Sequence, residues 1–373
     1  MKSILLKNIP IYLVYYIFPL ISIPFLLQGY DRIDYEIVWI VLFFISALCM
    51  NRMIKKNVFV ILLCLFFAVL FKYICPLIVQ YNQVYFRALM IDGKWIVYLV
   101  LTLLWVNNIG YPSEKVLYKA GVFFSKIFIM YSIYCYCKFG FDARPGVLGE
   151  ANYDGLLMLI PFCFIEDMGG KFKDYFLFFI AVLCTGSRTG VIAILLLILM
   201  ILKSKHPKSI ILFLPIVVSL IIAIFMFRNY SSMENIDRYV FFYQAIVFFF
   251  DSDLKTFLFG VYPGIGMDIT IINGFNWVVN VFEDSNDIVG VFPFYFHATY
   301  IRMALTWGVP FLIIALFSVL TCFFRVKYLP LKLIILILLL YSFTLSVLTL
   351  TNMSVMFFLS VFMMIRINRS LNN

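Results

Sequence analysis

Charge is scarce in this sequence: 13% of its 373 residues are Asp, Glu, Lys or Arg, against 64% hydrophobic and 19% aromatic. That balance excludes an ordinary soluble domain and reads as a polytopic membrane protein. Histidine is scarcer still. His206 and His297 are the two there are, and neither belongs to a carboxylate–histidine cluster of the kind that holds a metal. No metal site and no cofactor are therefore expected. The eight cysteines lie nearly all inside apolar runs, without zinc spacing or a disulfide framework, and read as membrane-packing residues. Neither a Walker A lysine nor a Gly-x-Gly-x-x-Gly run is present, which argues against a nucleotide-bound donor. The net charge of +10 is spread through short loops with no basic block, so nucleic acid is not an expected partner. Internal repeats and low-complexity tracts are also lacking.

What is present is apolar run after apolar run. The first, Ile9–Leu27, is longer than the h-region of a signal peptide and no small-x-small cleavage site follows, so it reads as an uncleaved signal anchor. Taking roughly 20 apolar residues per crossing, with tilt adjusting that length, the chain offers about twelve spans. They are Ile9–Leu27, Ile37–Met50, Val58–Val79, Trp95–Asn107, Val116–Cys137, Tyr153–Ile165, Tyr175–Cys184, Thr189–Leu202, Ile210–Phe227, Thr299–Phe324, Leu331–Leu348 and Met353–Ile365. The expected fold is an all-α polytopic membrane protein forming a single integral membrane domain over residues 1–373.

Placing both termini in the cytoplasm puts the basic short loops, such as Arg52/Lys55/Lys56 and Lys203/Lys205/Lys208, on the inner side, as the positive-inside rule asks. Lysine then dominates inside, while the outer side carries Arg32, Arg87, Arg144, Arg188, Arg228, Arg238 and Arg302 beside fewer lysines. Sorting by charge does not distinguish the two residues. An outer face that keeps arginine points to planar, bidentate recognition of phosphate or carboxylate, against the plainer reading of solvated or snorkelling charges. The same topology makes 228–296 one long outer loop between the ninth and tenth spans, and 138–153 a smaller one. Within the long loop, Asp237–Phe250 reads as an interfacial helix, and the turn-rich Phe259–Gly266 segment is where backbone at Gly264 and Gly266 approaches a ligand or simply turns at the surface.

Three constellations on the outer side carry candidate chemistry. In Thr185-Gly186-Ser187-Arg188-Thr189-Gly190 an arginine opens a helix with Ser187 or Thr189 as cap, an arrangement suited to an anion. In Arg144-Pro145-Gly146 through Asn152-Tyr153-Asp154-Gly155 a cation, an amide and two carboxylates stand at a helix mouth. His297 closes the long loop, able to accept a proton from a hydroxyl. Arg302 follows five residues later, about 7–8 Å further along a helix, where it should face a cavity or a partner. With no nucleotide site, the energy for chemistry on this face must arrive with the substrate, and a lipid-anchored diphosphate is its natural form.

These elements stand in one order: Arg-x-Gly…Asn, then Gly-Ser-Arg-Thr-Gly before a helix, an arginine-led loop ending in Pro-Gly-x-Gly, and a histidine at re-entry followed by the turn Gly308-Val309-Pro310. Over roughly Arg144 to Pro310 the chain resembles the O-antigen polymerase and O-antigen ligase superfamily of bacterial inner-membrane glycosyltransferases. The resemblance implies a C-type glycosyltransferase-like fold in the inner membrane with its site facing the periplasm. It implies Arg188, Arg228 and Arg238 on the diphosphate of a polyprenyl-linked donor, with Arg144, Arg302, Asn152, Gly264 and Gly266 as further substrate-binding residues. His297 becomes the acceptor-activating residue. Implied partners are the polyprenyl-diphosphate-linked oligosaccharide donor and acceptor, membrane lipids and a chain-length regulator protein. One departure is Ala298, where the family often has Asn after the histidine, and it weakens a ligase more than a polymerase. The first expectation is thus polymerisation of lipid-linked repeat units, and the nearest alternative is a ligase delivering glycan to lipid A core. A flippase of lipid-linked sugars ranks lower, because the polar residues cluster at one face and the two halves show no similarity.

Overall fold

The structure is a computed structural model that describes residues 2–48, 54–79, 84–140, 143–205, 207–211, 213–215, 217–219, 237–267, 269 and 291–372. These residues are helical apart from turns and two isolated antiparallel bridges, Val84 with Ile265 and Met267 with Val291. In chain order the helices are α1 (Ile9–Leu27), α2 (Glu36–Leu48), α3 (Lys56–Val69), α4 (Phe86–Asn108), α5 (Glu114–Phe139), α6 (Ala151–Phe162), α7 (Phe172–Leu183) and α8 (Arg188–Lys205). Then follow α9 (Asp237–Asp251), α10 (Leu254–Phe259), α11 (Thr299–Trp307), α12 (Val309–Arg325), α13 (Leu329–Ser342) and α14 (Thr351–Asn372). Among the described residues, α1, α4, α5 and the 351–371 stretch of α14 are each long and apolar enough to cross a membrane. Ile37 on α2 and Phe317 and Phe324 on α12 are 74%, 72% and 76% exposed, as suits side chains that meet lipid rather than water.

The helix bounds follow from local chemistry. Two π turns, Leu13–Ile17 within α1 and Leu70–Ile74 continuing α3 into Cys75–Val79, each end two residues before a proline in the sequence, Pro19 and Pro76. A proline has no N–H to return to the carbonyl four residues back and crowds that carbonyl, so the turn before it opens. The second π turn carries Lys72, which is buried and donates to the Phe259 carbonyl at 2.7 Å, beneath the Tyr262 ring at 5.1 Å. That bond ties α3 to the end of α10.

Three spans differ from expectation. The run expected at Leu331–Leu348 is helical only to Ser342, where α13 ends and turns follow. The run expected at Trp95–Asn107 is the second half of α4, which starts at Phe86. Its first half carries Asp92 and Lys94, and both have partners: Arg302 for Asp92 and Glu36 for Lys94. The span expected at Thr299–Phe324 is broken into α11 and α12 at Gly308, whose φ of +89° is open to glycine and strained for other residues. A Cβ at Gly308 would collide with the backbone at Leu258 and Phe259, because the end of α10 crosses there. Most of the expected Ile210–Phe227 span lies outside the described residues.

The core centres on α6, which is buried on nearly every side and packs against α5, α7 and α14. A short helix apolar all round is stable only when surrounded in this way. Gly121 of α5 leaves the space that Pro161 occupies. Tyr15 of α1 reaches the core with its hydroxyl donating to Leu157 O at 2.9 Å. The buried end of the bundle therefore holds the start of α6, α11 and α14 in fixed relation to α2 and α4.

Candidate functional site

A cavity of about 450 Å³ opens among the starts of α2, α6 and α14, the first half of α4 and the segment entering α11. Arg32, Lys94, Glu150, Tyr153, His297 and Arg302 are among its lining residues. Bonds of neighbouring residues fix several of the segments that carry them. Thr299 opens α11: its N–H and its hydroxyl both donate to Leu345 O, at 3.0 and 2.8 Å, and its oxygen accepts from Val347 N at 3.0 Å. The turn after α13 is thereby stitched to the residues just behind His297. Asp154 is fully buried and accepts Val147 N at 2.5 Å and Leu148 N at 3.3 Å, holding the loop that presents Gly149 and Glu150. Trp39 Nε1 donates to Asn352 Oδ1 at 2.7 Å, docking α2 on α14.

Two of the cavity's cations, Lys94 and Arg302, are paired. Lys94 Nζ lies 2.7 Å from Glu36 Oε2, and Tyr98 donates to the other Glu36 oxygen at 2.9 Å. Arg302 Nη2 lies 2.5 Å from Asp92 Oδ1, with both residues buried. Tyr35, at the rim, donates to Phe18 O at 3.1 Å, and burial raises its phenol while the hydrogen bond with Ser22 opposes that rise. Burial likewise raises the phenol of Tyr295, with Tyr85 adding to the rise and Arg87 opposing it. A second, smaller cavity of about 100 Å³ with Trp95, Trp307 and Phe311 in its walls shares Arg302, Ser346 and Thr349 with the first. Arg302 stands at the boundary of the two.

Of the residues singled out from sequence, His297 and Arg302 converge on the large cavity. His297 is exposed there, and its ring packs on Phe241 with centroids 5.9 Å apart. Arg238 joins them at one remove: its guanidinium sits 5.8 Å over the same Phe241 ring. Arg188, half-buried, begins α8 as expected, with Ser187 Oγ accepting from Gly190 N at 3.1 Å as the cap, but it lines neither cavity. Gly190 of the same helix lies against the Tyr341 hydroxyl near the end of α13.

Arg144 is exposed and Asn152 half-buried, and neither lines the cavities, although Glu150 and Tyr153 beside Asn152 do. Gly264 closes on protein: its carbonyl accepts Tyr85 N at 2.6 Å, and a Cβ there would sit 3.0 Å from Leu89 and Val84. The close backbone approach expected at this turn is thus to the start of α4. Gly266, half-buried two residues on, lines neither cavity. Arg228 and His206 lie outside the described residues.

Sequence reasoning had Arg32 among the outer arginines without assigning it to a site, and it missed Glu36, Lys94 and Asn352 in the large cavity and Asp92 in the smaller one. For Asp92 and Lys94 the signal was available, since two charges inside an otherwise apolar helix call for partners. Nothing local marks Asn352.

No family model, no curated protein and no solved structure matches this chain.

Proposed function

We propose that this chain is a bacterial inner-membrane polymerase that joins polyprenyl-diphosphate-linked oligosaccharide repeat units on the periplasmic face. The observation that carries the reading is the meeting of His297 and Arg302 in one cavity with Arg32 and Lys94. In this reading an acceptor hydroxyl attacks the anomeric carbon of the donor sugar and a new C–O bond forms. The bond from that carbon to the diphosphate oxygen breaks, and the lipid diphosphate leaves with the electron pair. His297 takes the acceptor proton, a contribution of about 10²–10⁴-fold for a positioned base. Arg302, with Arg32 and Lys94, meets the charge that grows on the leaving diphosphate, and fixed donors of this kind are worth about 2.7–4 kcal/mol each when removed. Guanidinium and ammonium groups already held by Asp92 and Glu36 need little reorganisation when that charge develops.

About twelve spans, cytoplasmic termini and a periplasmic 228–296 loop belong to the same proposal. The ligase alternative asks for an amide after the histidine. Ala298 is fully buried at the start of α11, a position that suits a methyl group better than a free amide. The test is to supply the protein, reconstituted in vesicles, with polyprenyl-diphosphate repeat units. A ladder of lengthening lipid-linked glycans is expected, and its absence overturns the proposal.

A further inference from the structure

We propose that Asp92 is the positioning residue for Arg302, holding its guanidinium at the wall between the two cavities with donors left over for a phosphate; this rests on the lipid-diphosphate reading above. The pair joins α4 to α11 across 210 residues of chain, and its members are 3% and 7% exposed. The contact is made at one point. Nη2 meets Oδ1 at 2.5 Å, and Asp92 Oδ2, equally buried, has no hydrogen-bond partner among the described residues. A fork-to-fork arginine–carboxylate pair would use both oxygens and two parallel N–H groups. Here a single N–H meets the carboxylate, which leaves the other donors of the guanidinium outside that bond, and Arg302 lines the larger cavity with His297. A planar donor edge of that kind matches a phosphate oxygen pair.

Asp92 is itself held in place. Tyr73 donates to the Asp92 carbonyl at 3.3 Å, and the next residue, Gly93, lies so close to the Tyr73 ring that a Cβ would sit 3.3 Å from it. On the facing helix, Thr306 Oγ1 donates to the Arg302 carbonyl at 2.6 Å. Both backbones that carry the pair are therefore pinned near it, and the carboxylate sets where the guanidinium ends. Asp92 also lines the smaller cavity between Trp95, Trp307 and Phe311, which gives the carboxylate space without a competing donor from the described residues.

Asp92→Glu separates position from charge. It keeps the carboxylate and moves it by one methylene, about 1.5 Å, into space the smaller cavity provides. The full chain in detergent is titrated with inorganic pyrophosphate by calorimetry, and its melting temperature is measured alongside. Expected for Asp92→Glu is an unchanged melting temperature with pyrophosphate binding at least about tenfold weaker, since misplacement by about 1 Å has effects of that order or more. Binding equal to wild type overturns the assignment. If Asp92→Glu melts early, the swapped variant Asp92→Arg/Arg302→Asp decides. It re-forms the pair with the guanidinium on α4, so the melting temperature should recover relative to Arg302→Asp alone while pyrophosphate binding does not. Recovery of binding in the swap also overturns the assignment. A wild-type chain that binds no pyrophosphate fails at the earlier step, because the diphosphate reading goes and the assignment goes with it.

Discussion

The His297 imidazole packs edge-on against the Phe241 ring, centroids 5.9 Å apart and planes at 64°, and Arg238 lies 5.8 Å over that same ring. One aromatic side chain thus links the candidate base, on the segment entering α11, to an arginine of α9. Phe241 is 2% exposed and belongs to the small core that α9 makes with residues 291–305. The orientation of His297 depends on α9 being docked.

Phe241→Leu keeps the site apolar but removes the ring. The edge-on contact is worth about 0.5–1.5 kcal/mol beyond buried area, so elongation should slow by roughly threefold to tenfold. Steady-state rates on lipid-linked repeat units check this. Full activity would show that His297 is oriented by other neighbours.

Arg188 and Ser187 should separate cleanly. Ser187 caps α8 through Gly190 N, so Ser187→Ala should lower stability by about 1 kcal/mol. If Arg188 reaches the diphosphate from its place at the head of α8, its loss slows elongation by about 10²–10³-fold. A normal ladder with Arg188→Ala removes Arg188 from the site and leaves the cavity of His297 and Arg302 standing.

Gly308 marks the break between α11 and α12, with φ at +89° and the α10 backbone against it. Gly308→Ala is expected to destabilise by at least about 1–3 kcal/mol, the range for a non-glycine residue forced into a sparse backbone region. Thermal melting in detergent measures it, and an unchanged melt would mean that the two helices tolerate one continuous path.

How much of this was legible in the sequence depends on where the deciding contacts lie. The bounds of α1 follow from one apolar run, and the Ser187 cap follows from its place before α8, because both are local. The convergence of His297 and Arg302 was readable in outline, since a charge five residues past the histidine in an apolar run needs a cavity or a partner, and Arg302 has both. The first half of α4 was hidden because hydropathy treats Asp92 and Lys94 as interruptions, while Arg302 and Glu36 make them compatible with a helix. Gly308 stood in the family pattern as the turn that follows the histidine, but hydropathy runs one span through it, and nothing local shows the α10 backbone that crosses there. Asn352 joined the cavity through a hydrogen bond with Trp39, 313 positions away, and no spacing rule reaches that far.

Asp253 supplies a pH test of the α10 segment. It caps α10, accepting Thr256 N at 2.8 Å, and hydrogen bonds to Thr256 depress its carboxyl below the ordinary 3.8. A depressed folded-state value means that its contribution is complete above pH 3.8 and is lost as pH falls through the lower, folded value. Amide exchange at Thr256 should therefore speed up only below that range, and Asp253→Asn should flatten the change. An acceleration that begins well above pH 3.8 would assign it to another group.

The most direct measurement is the single-turnover rate of glycan transfer by reconstituted wild type and His297→Ala, using the same polyprenyl-diphosphate repeat units and confirming equal melting temperatures. Loss of the positioned base predicts a rate lower by about 10²–10⁴-fold in His297→Ala, with the donor still bound. A His297→Ala protein that transfers glycan at the wild-type rate contradicts the role given to this cavity.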